Sequence, residues 1–393
     1  MKRPYFVIDA DLIERNLRTL RGVMDRTGCR ILLAQKCFSC YALYPMVARY
    51  LAGATASGLF EARLCHEEMP GGENHVFAPA FSEEDMDEIV GICDHIVFNS
   101  IRQLELHGRK AKEAGLQVGL RINPECSTQE GHAIYDPCAP GSRLGVRLKD
   151  FEAAPAELLS LLDGLHFHTL CEQNSDALET TLDAVEQRFG KYLGGMRWLN
   201  FGGGHHITRT DYDVERLERL IRRVTDRYGV QVYLEPGEAV ALNAGELHCH
   251  VMDVLPAGDD GIRNAILTTS AACHMPDVIE MPYTPPVLTD GLSIYEADGE
   301  HNNGSAGGEH AYGTDCLYRF GGPTCLSGDV IGLYRSERPL QEGDEIVFGD
   351  MAIYSMVKTN TFNGMPLPDI YIRQGGRLTL WKQFGYGDFK ARL

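Results

Sequence analysis

The chain has 393 residues, 44% hydrophobic and 23% charged, with a formal net charge of −18. That length allows a large core and points to two domains. The acidic balance argues against nucleic acid, whose binding needs clustered Lys and Arg, and no run approaches the roughly 20 apolar residues of a membrane helix.

The opening "MKRPYFVIDADLIERN" turns acidic within a few residues and has no apolar h-region, so no signal peptide is expected. "YFVIDADLIERNL" reads as a strand followed by a helix start. From residue 30 to 237, short β-branched and apolar runs alternate with longer segments of helical period. The predicted strands are "ILLAQK" (31–36), "ATASGL" (54–59), "HVFAPA" (75–80), "HIVFNS" (95–100), "QVGLRIN" (117–123), "LHFHTL" (165–170), "RWLNFG" (197–202) and "VYLEPG" (232–237). Among the helices, "SEEDMDEIVGIC" opens on a Ser with an acid three positions later, a capping signal. "SDALETTLDAVEQRF" and "DYDVERLERLIRRVTDRYG" are amphipathic, the second ending at Gly229 as a C-cap. "PECSTQEGHAIYDPCAPGSRLGVRL" reads as a long loop, followed by a helix at "DFEAAPAELLSLL". Eight βα units predict a (β/α)8 TIM-like barrel, with a doubly wound open sheet as the alternative.

After residue 245 the pattern changes to strands and turns: "GELHCHVMDVL", "AILTTSA", "DVIGLYRS", "DEIVFGDM" and "DIYIRQGGRLTLW" predict a second, mostly β domain. "EADGEHNNGSAGGEHAYG" between them reads as a glycine-rich polar loop. The twelve cysteines follow no framework spacing, which predicts reduced thiols in a cytoplasmic protein.

Active sites of such barrels lie at the C-terminal ends of the strands. Lys36, Arg121, His168, Gly202 to Gly204 and Glu235 all fall there. Lys36 ends an apolar run. It is either a lysine snorkelling to water or a desolvated amine able to form a Schiff base with an aldehyde cofactor. "NFGGGHH" can cradle a phosphate on backbone N–H groups, or simply turn tightly from strand to helix; it is not a dinucleotide fingerprint. Glu235 in "YLEPGE" can meet a protonated pyridine nitrogen, or pair with an Arg. His166 and His168 share a strand face. One ring could lie against a flat cofactor, the two could ligate a metal with Glu172, His205 or His206, or both could be satisfied core histidines. Cys37 and Cys40 form one isolated C-x-x-C, for which zinc or redox chemistry is not expected. Cys325, on the loop "GGPTCLSGD", is either a turn cysteine or a thiol acid near a substrate carbon. Tyr354, in "FGDMAIYSMVKTNTFNG", is by default a core or interface aromatic.

Order and spacing of the set decide between these readings. The sequence resembles the PLP-dependent decarboxylases of the alanine-racemase-type fold, the group of ornithine and diaminopimelate decarboxylases, over nearly its whole length. The stretches that carry the likeness are "ILLAQKCFS", "LHFHTLCEQ", "NFGGGHHITR", "YLEPGEAV", "CHMPDVIEMPY", "GGPTCLSGD" and "GDMAIYSMVKTNTFNGMPLP". Within the group they are most similar to members acting on carboxylated polyamines.

The resemblance implies pyridoxal 5'-phosphate bound covalently to Lys36, with His168 stacked on the ring, Glu235 on its nitrogen and Arg121 nearby. It implies Gly202, Gly203, Gly204 and Tyr354 on the phosphate, and Cys325 as proton donor from the partner subunit of a homodimer with interfacial sites. No metal is implied. It further implies a barrel at 18–244 and a β domain of 1–17 with 245–393. Two departures matter. Glu238 stands where the ornithine type has a phosphate-binding Arg, and Leu326 where that type has an acid for the distal ammonium. They favour a longer, cationic carboxylated polyamine as substrate, with Asp277, Glu280 and Asp329 as candidate acids. The alternatives are a diaminopimelate, ornithine or arginine decarboxylase, a racemase, a non-catalytic homologue, or a metal hydrolase on the same barrel.

Overall fold

In the computed structural model, residues 3–129, 136–296 and 316–393 are described; the glycine-rich loop predicted at 296–313 lies outside them from residue 297 on. The chain divides into two units, Ile13–Leu242 and Met1–Leu12 with Asn243–Leu393. These boundaries differ by a few residues from 17/18 and 244/245. The first falls inside one continuous helix, Ala10–Thr27, whose opening turns the sequence had assigned to the β domain.

The first strand, β1 (Tyr5–Asp9), belongs to the unit with the C-terminal half. The next eight are β2 (Arg30–Ala34), β3 (Gly53–Ala56), β4 (Glu73–Phe77), β5 (His95–Phe98), β6 (Gln117–Arg121), β7 (Gly164–His166), β8 (Trp198–Asn200) and β9 (Gln231–Leu234). All eight predicted βα strands are present, each parallel to its neighbours, and β9 pairs back onto β2 to close the barrel. The open doubly wound sheet is thereby excluded.

The strands are shorter than their apolar runs suggested, because the chain turns as it leaves the barrel. Lys36 and His168 accordingly sit just past strand ends rather than within strands. The helix predicted at 150–162 is split into Leu148–Glu152 and Ala156–Leu159. Pro155 between them has no N–H to donate and cannot continue a helix. The other helix signals hold: Ser82 accepts from Asp85 N–H, Asp213 caps Val214–Tyr228, and Gly229 closes that helix at φ +70°.

Alternation along the strands fills the barrel interior. Leu32, Val97, Trp198 and Tyr233 form one buried cluster. Trp198 is in register with Gly164, which pairs in turn with Gly119. A Cβ at Gly164 would lie 2.0 Å from the indole, and one at Gly119 2.2 Å from it. Two glycines thus make room for one large ring, at the close packing typical of protein interiors.

The second unit is a nine-stranded sheet. Its further strands are β10 (Gly245–Val254), β11 (Arg263–Leu267), β12 (Leu292–Ile294), β13 (Leu317–Gly321), β14 (Val330–Ser336), β15 (Glu345–Gly349), β16 (Asp369–Gln374) and β17 (Arg377–Lys382). β1 lies between β10, antiparallel, and β16, parallel. β13 and β12 were not foreseen; both flank the polar segment and are too short to show a clear period.

Candidate active site

A cavity of about 250 Å³ opens at the C-terminal end of the barrel strands. Lys36, Arg121, His168, Gly203 and Glu235 line it together with Phe77 and His166. Five chain-distant segments therefore converge on one space, as the strand-end placement predicted.

Lys36 follows β2 in a turn and is exposed to this space, which is the side chain reaching water rather than the desolvated amine of the two readings. It makes no hydrogen bond or ion pair with any described residue. Glu61 is the carboxylate that feels its charge, without a hydrogen bond between them.

Glu235 is buried, and both its oxygens are held. Asn200 Nδ2 donates to Oε1 at 2.8 Å, and His166 Nε2 lies 3.2 Å from Oε2. Burial alone would raise its pKa. The opposing interactions with His166, His75 and Asn200 win and hold it down at about 2, so the group is a carboxylate at neutral pH. Burial lowers the pKa of His166, and its ring is neutral there. The carboxylate is then held by hydrogen bonds rather than by a full ion pair.

His168 borders the cavity with one edge, its Nδ1 accepting the Gly203 N–H at 2.8 Å. That bond leaves Nε2 to carry the proton of the neutral ring. Burial, then the cations Lys36 and Arg121, hold its pKa well below the ordinary histidine value. The Arg121 guanidinium lies 4.8 Å from the Phe77 ring centroid and donates to the His168 carbonyl at 3.1 Å. Burial pulls its pKa down to about 10, still a cation at neutral pH.

The glycine turn is forced by close approach. Gly202 and Gly204 have φ of +70° and +81°. A Cβ at Gly204 would lie 2.1 Å from the Leu170 carbonyl, and one at Gly203 2.6 Å from that of Glu235. Backbone, not side chain, therefore faces this end of the site. Glu238 is buried with its Oε2 2.9 Å from His206 Nε2, so the acid in place of the ornithine type's Arg has a local partner.

The metal alternative loses its ligands. His166 is engaged with Glu235 and His168 with Gly203. Among the described residues, Glu73, His75 and His95 do approach one another within the barrel. The two imidazoles stack at 3.9 Å, with 13° between planes. Parallel rings cannot both aim in-plane lone pairs at one ion.

The remaining candidates belong to the sheet unit. Cys325 is exposed on the β13–β14 loop. Tyr354 is half-buried at φ +46°, and the Lys358 ammonium lies 5.9 Å from its ring centroid. Asp277 and Glu280 both bind Lys358 Nζ, so neither is an open acid. Asp329 is 4% exposed, and its carboxylate accepts from Thr324 of its own loop and from Ser270 and Ala272. Its burial and these bonds face it into the loop and the neighbouring Ser270 turn.

Sequence reasoning missed the support of Glu235. The signal was present in His166 and in the Asn200 preceding the glycine turn, at alternate positions from His168 and Gly202. Pairing across β7, β8 and β9 is what joins them.

A closed parallel barrel with a lysine, a buried carboxylate, a neutral imidazole and a glycine turn at its mouth defines the class. Residues 6–352 match the family described as "Pyridoxal-dependent decarboxylase, C-terminal sheet domain", and the chain belongs to it: it is a PLP-dependent decarboxylase, a lyase. Over all 393 residues it is 41% identical to the carboxynorspermidine/carboxyspermidine decarboxylase of Campylobacter jejuni, covering 98% of that protein. It is 38% identical over 392 residues to the carboxyaminopropylagmatine decarboxylase of Synechocystis, covering 95% of it. The crystal structure of carboxynorspermidine decarboxylase complexed with norspermidine, from Campylobacter jejuni, superposes with a TM-score of 0.86 at 39% identity, over 100% of both chains.

The residues present fit pyridoxal phosphate. The cavity offers a free amine, a buried carboxylate whose charge is maintained, and a backbone cradle that a Cβ at Gly203 would fill.

Proposed function

We propose that the protein decarboxylates carboxynorspermidine, carboxyspermidine or both, releasing CO2 and norspermidine or spermidine. The full-length likeness to the Campylobacter jejuni protein of that name carries this reading. The absence of an acid after Cys325, at Leu326, agrees with a substrate other than ornithine. The Synechocystis relative favours a second reading, carboxyaminopropylagmatine. A CO2-release assay on these three carboxylated amines, ornithine and diaminopimelate tests both. Preference for either amino acid would overturn the first reading and the second alike.

Bound pyridoxal phosphate supplies an electron sink for the bond to the departing carboxylate. Lys36 would hold the cofactor through Nζ and release the product. Glu235, kept anionic, would hold a proton at the ring nitrogen, its direction set by His166 and Asn200. His168 would present its neutral ring to the flat face of the cofactor, with Arg121 balancing negative charge nearby. The Gly202 N–H is donated to Asn200 and the Gly203 N–H to His168, so the Gly204 N–H, with Tyr354, would be the group of this turn that meets the phosphate. Cys325 would deliver a proton to the substrate α-carbon. Asp277 and Glu280 would receive a substrate ammonium in exchange for Lys358.

We infer also that the enzyme works in the cytoplasm as a homodimer, Cys325 of one protomer serving the lysine site of the other. Mixing inactive Lys36→Ala and Cys325→Ala proteins should then restore part of the activity through mixed dimers. A mixture as inactive as its parts would argue against shared sites.

A further inference from the structure

The loop between β13 and β14 is built around one buried carboxylate. Asp329 Oδ1 accepts from Ser270 Oγ at 3.0 Å and from the Ala272 N–H at 3.2 Å. Its Oδ2 accepts from Ser270 Oγ at 2.9 Å and from Thr324 Oγ1 at 2.7 Å. Among the described residues no cation pairs with it. A carboxylate is costly to bury without a cation unless hydrogen bonds replace its water, and here three donors do so, the Ser270 hydroxyl shared between the two oxygens. Gly322 belongs to the same arrangement, since a Cβ there would lie 2.2 Å from Oδ2.

These bonds converge on the exposed tip. The Thr324 hydroxyl donates to Asp329 and accepts weakly from the Leu326 N–H at 3.4 Å, so it grips the residues on both sides of Cys325. The Cys325 N–H is itself held by Asn363 Oδ1 at 2.8 Å, from a residue at φ +55°. Asp329 N–H closes the loop on the Leu326 carbonyl at 2.9 Å. An exposed cysteine on an eight-residue loop would ordinarily sample many orientations. This one has its own N–H and both flanking residues fixed.

We propose that Asp329 is the positioning residue of Cys325, acting through Thr324 to hold the thiol in one orientation. The inference rests on the reading of Cys325 as the proton donor. A proton delivered to carbon needs a donor placed to a fraction of an ångström, and a misplacement of about 1 Å can cost about a hundredfold in rate. An asparagine at 329 keeps the volume but replaces one acceptor oxygen with a donor, which must face Ser270, Thr324 or Ala272 N–H.

The test uses the cofactor-loaded enzyme carrying Asp329→Asn, Thr324→Val, Thr324→Ser or Cys325→Ala. Two readouts are taken: kcat against KM, and the rate at which iodoacetamide alkylates Cys325, followed by peptide mass spectrometry. Asp329→Asn and Thr324→Val should lower kcat by about tenfold or more with KM nearly unchanged, change the alkylation rate of Cys325 several-fold, and leave that of other cysteines alone. Thr324→Ser should restore both values. If Asp329→Asn fails to fold, the Thr324 pair decides. Unchanged alkylation and kcat in Thr324→Val overturn the proposal. Cys325→Ala separates the two readings: full turnover there removes the thiol from the reaction, while alkylation still decides whether Asp329 positions it.

Discussion

His166 Nε2 lies 3.2 Å from Glu235 Oε2, in a buried pair that spans the barrel from β7 to the end of β9. Asn200, on the strand between, takes the other oxygen and also accepts the Gly202 N–H at 2.8 Å. One asparagine thus ties the acid to the glycine turn. Glu235→Gln should keep the fold, yet lose about a hundredfold or more in kcat, because the amide cannot hold charge opposite a protonated ring nitrogen. Steady-state kinetics with a matched thermal melt would check it; near-normal kcat would remove Glu235 from the reaction.

His166→Ala leaves one oxygen of a buried carboxylate without its partner. The expected cost is about 1–3 kcal/mol of stability, with weaker cofactor retention on dialysis. Denaturant titration reads the first and the visible absorbance of the dialysed protein reads the second.

Lys36→Ala should abolish the absorbance band of covalently held cofactor and nearly all turnover. Lys36 is exposed and forms no hydrogen bond or ion pair among the described residues, so the variant's melting temperature without cofactor should stay close to that of the parent. Retained turnover would refute the assignment.

Gly204→Ala should be far more damaging than an average surface change. Its φ of +81° disfavours a Cβ, and the added atom would meet the Leu170 carbonyl at 2.1 Å. Strain of about 1–3 kcal/mol and loss of cofactor binding are expected. A variant that binds cofactor with parental affinity would show that the turn can shift without consequence.

Buried neutral histidines make the fold acid-sensitive. Burial is the main cause that lowers His95 to about 2 and His205 and His274 to about 4, from 6.5. Between those values and 6.5 the unfolded chain binds protons that the folded chain refuses. Stability is therefore lost as pH falls below 6.5, by up to about 1.4 kcal/mol per pH unit for each group. Urea midpoints measured from pH 7.5 to 5.5 should fall steadily, and a flat profile would contradict the burial of these rings.

Much of the architecture was legible because a barrel strand is an apolar run of fixed length. All eight runs from Ile31 to Gly237 became strands in order, and the residues at their ends met in one cavity. Lys36 was harder: its run looked buried, but the chain turns after Ala34 and delivers the amine to open space. Asp277, Glu280 and Asp329 were legible only as acids. Whether an acid is available depends on who else reaches it, and Lys358 and Ser270 come from elsewhere in the chain.

Periodicity and turn residues are local properties, and they sufficed for the fold class; the family likeness of the ordered motifs supplied the cofactor. Hydrogen-bond partners across strands are not local. The two grips on Glu235, the neutral state of His168 and the Ser270 and Ala272 bonds to Asp329 exist because folding desolvates these groups and brings distant donors within 3.2 Å of them.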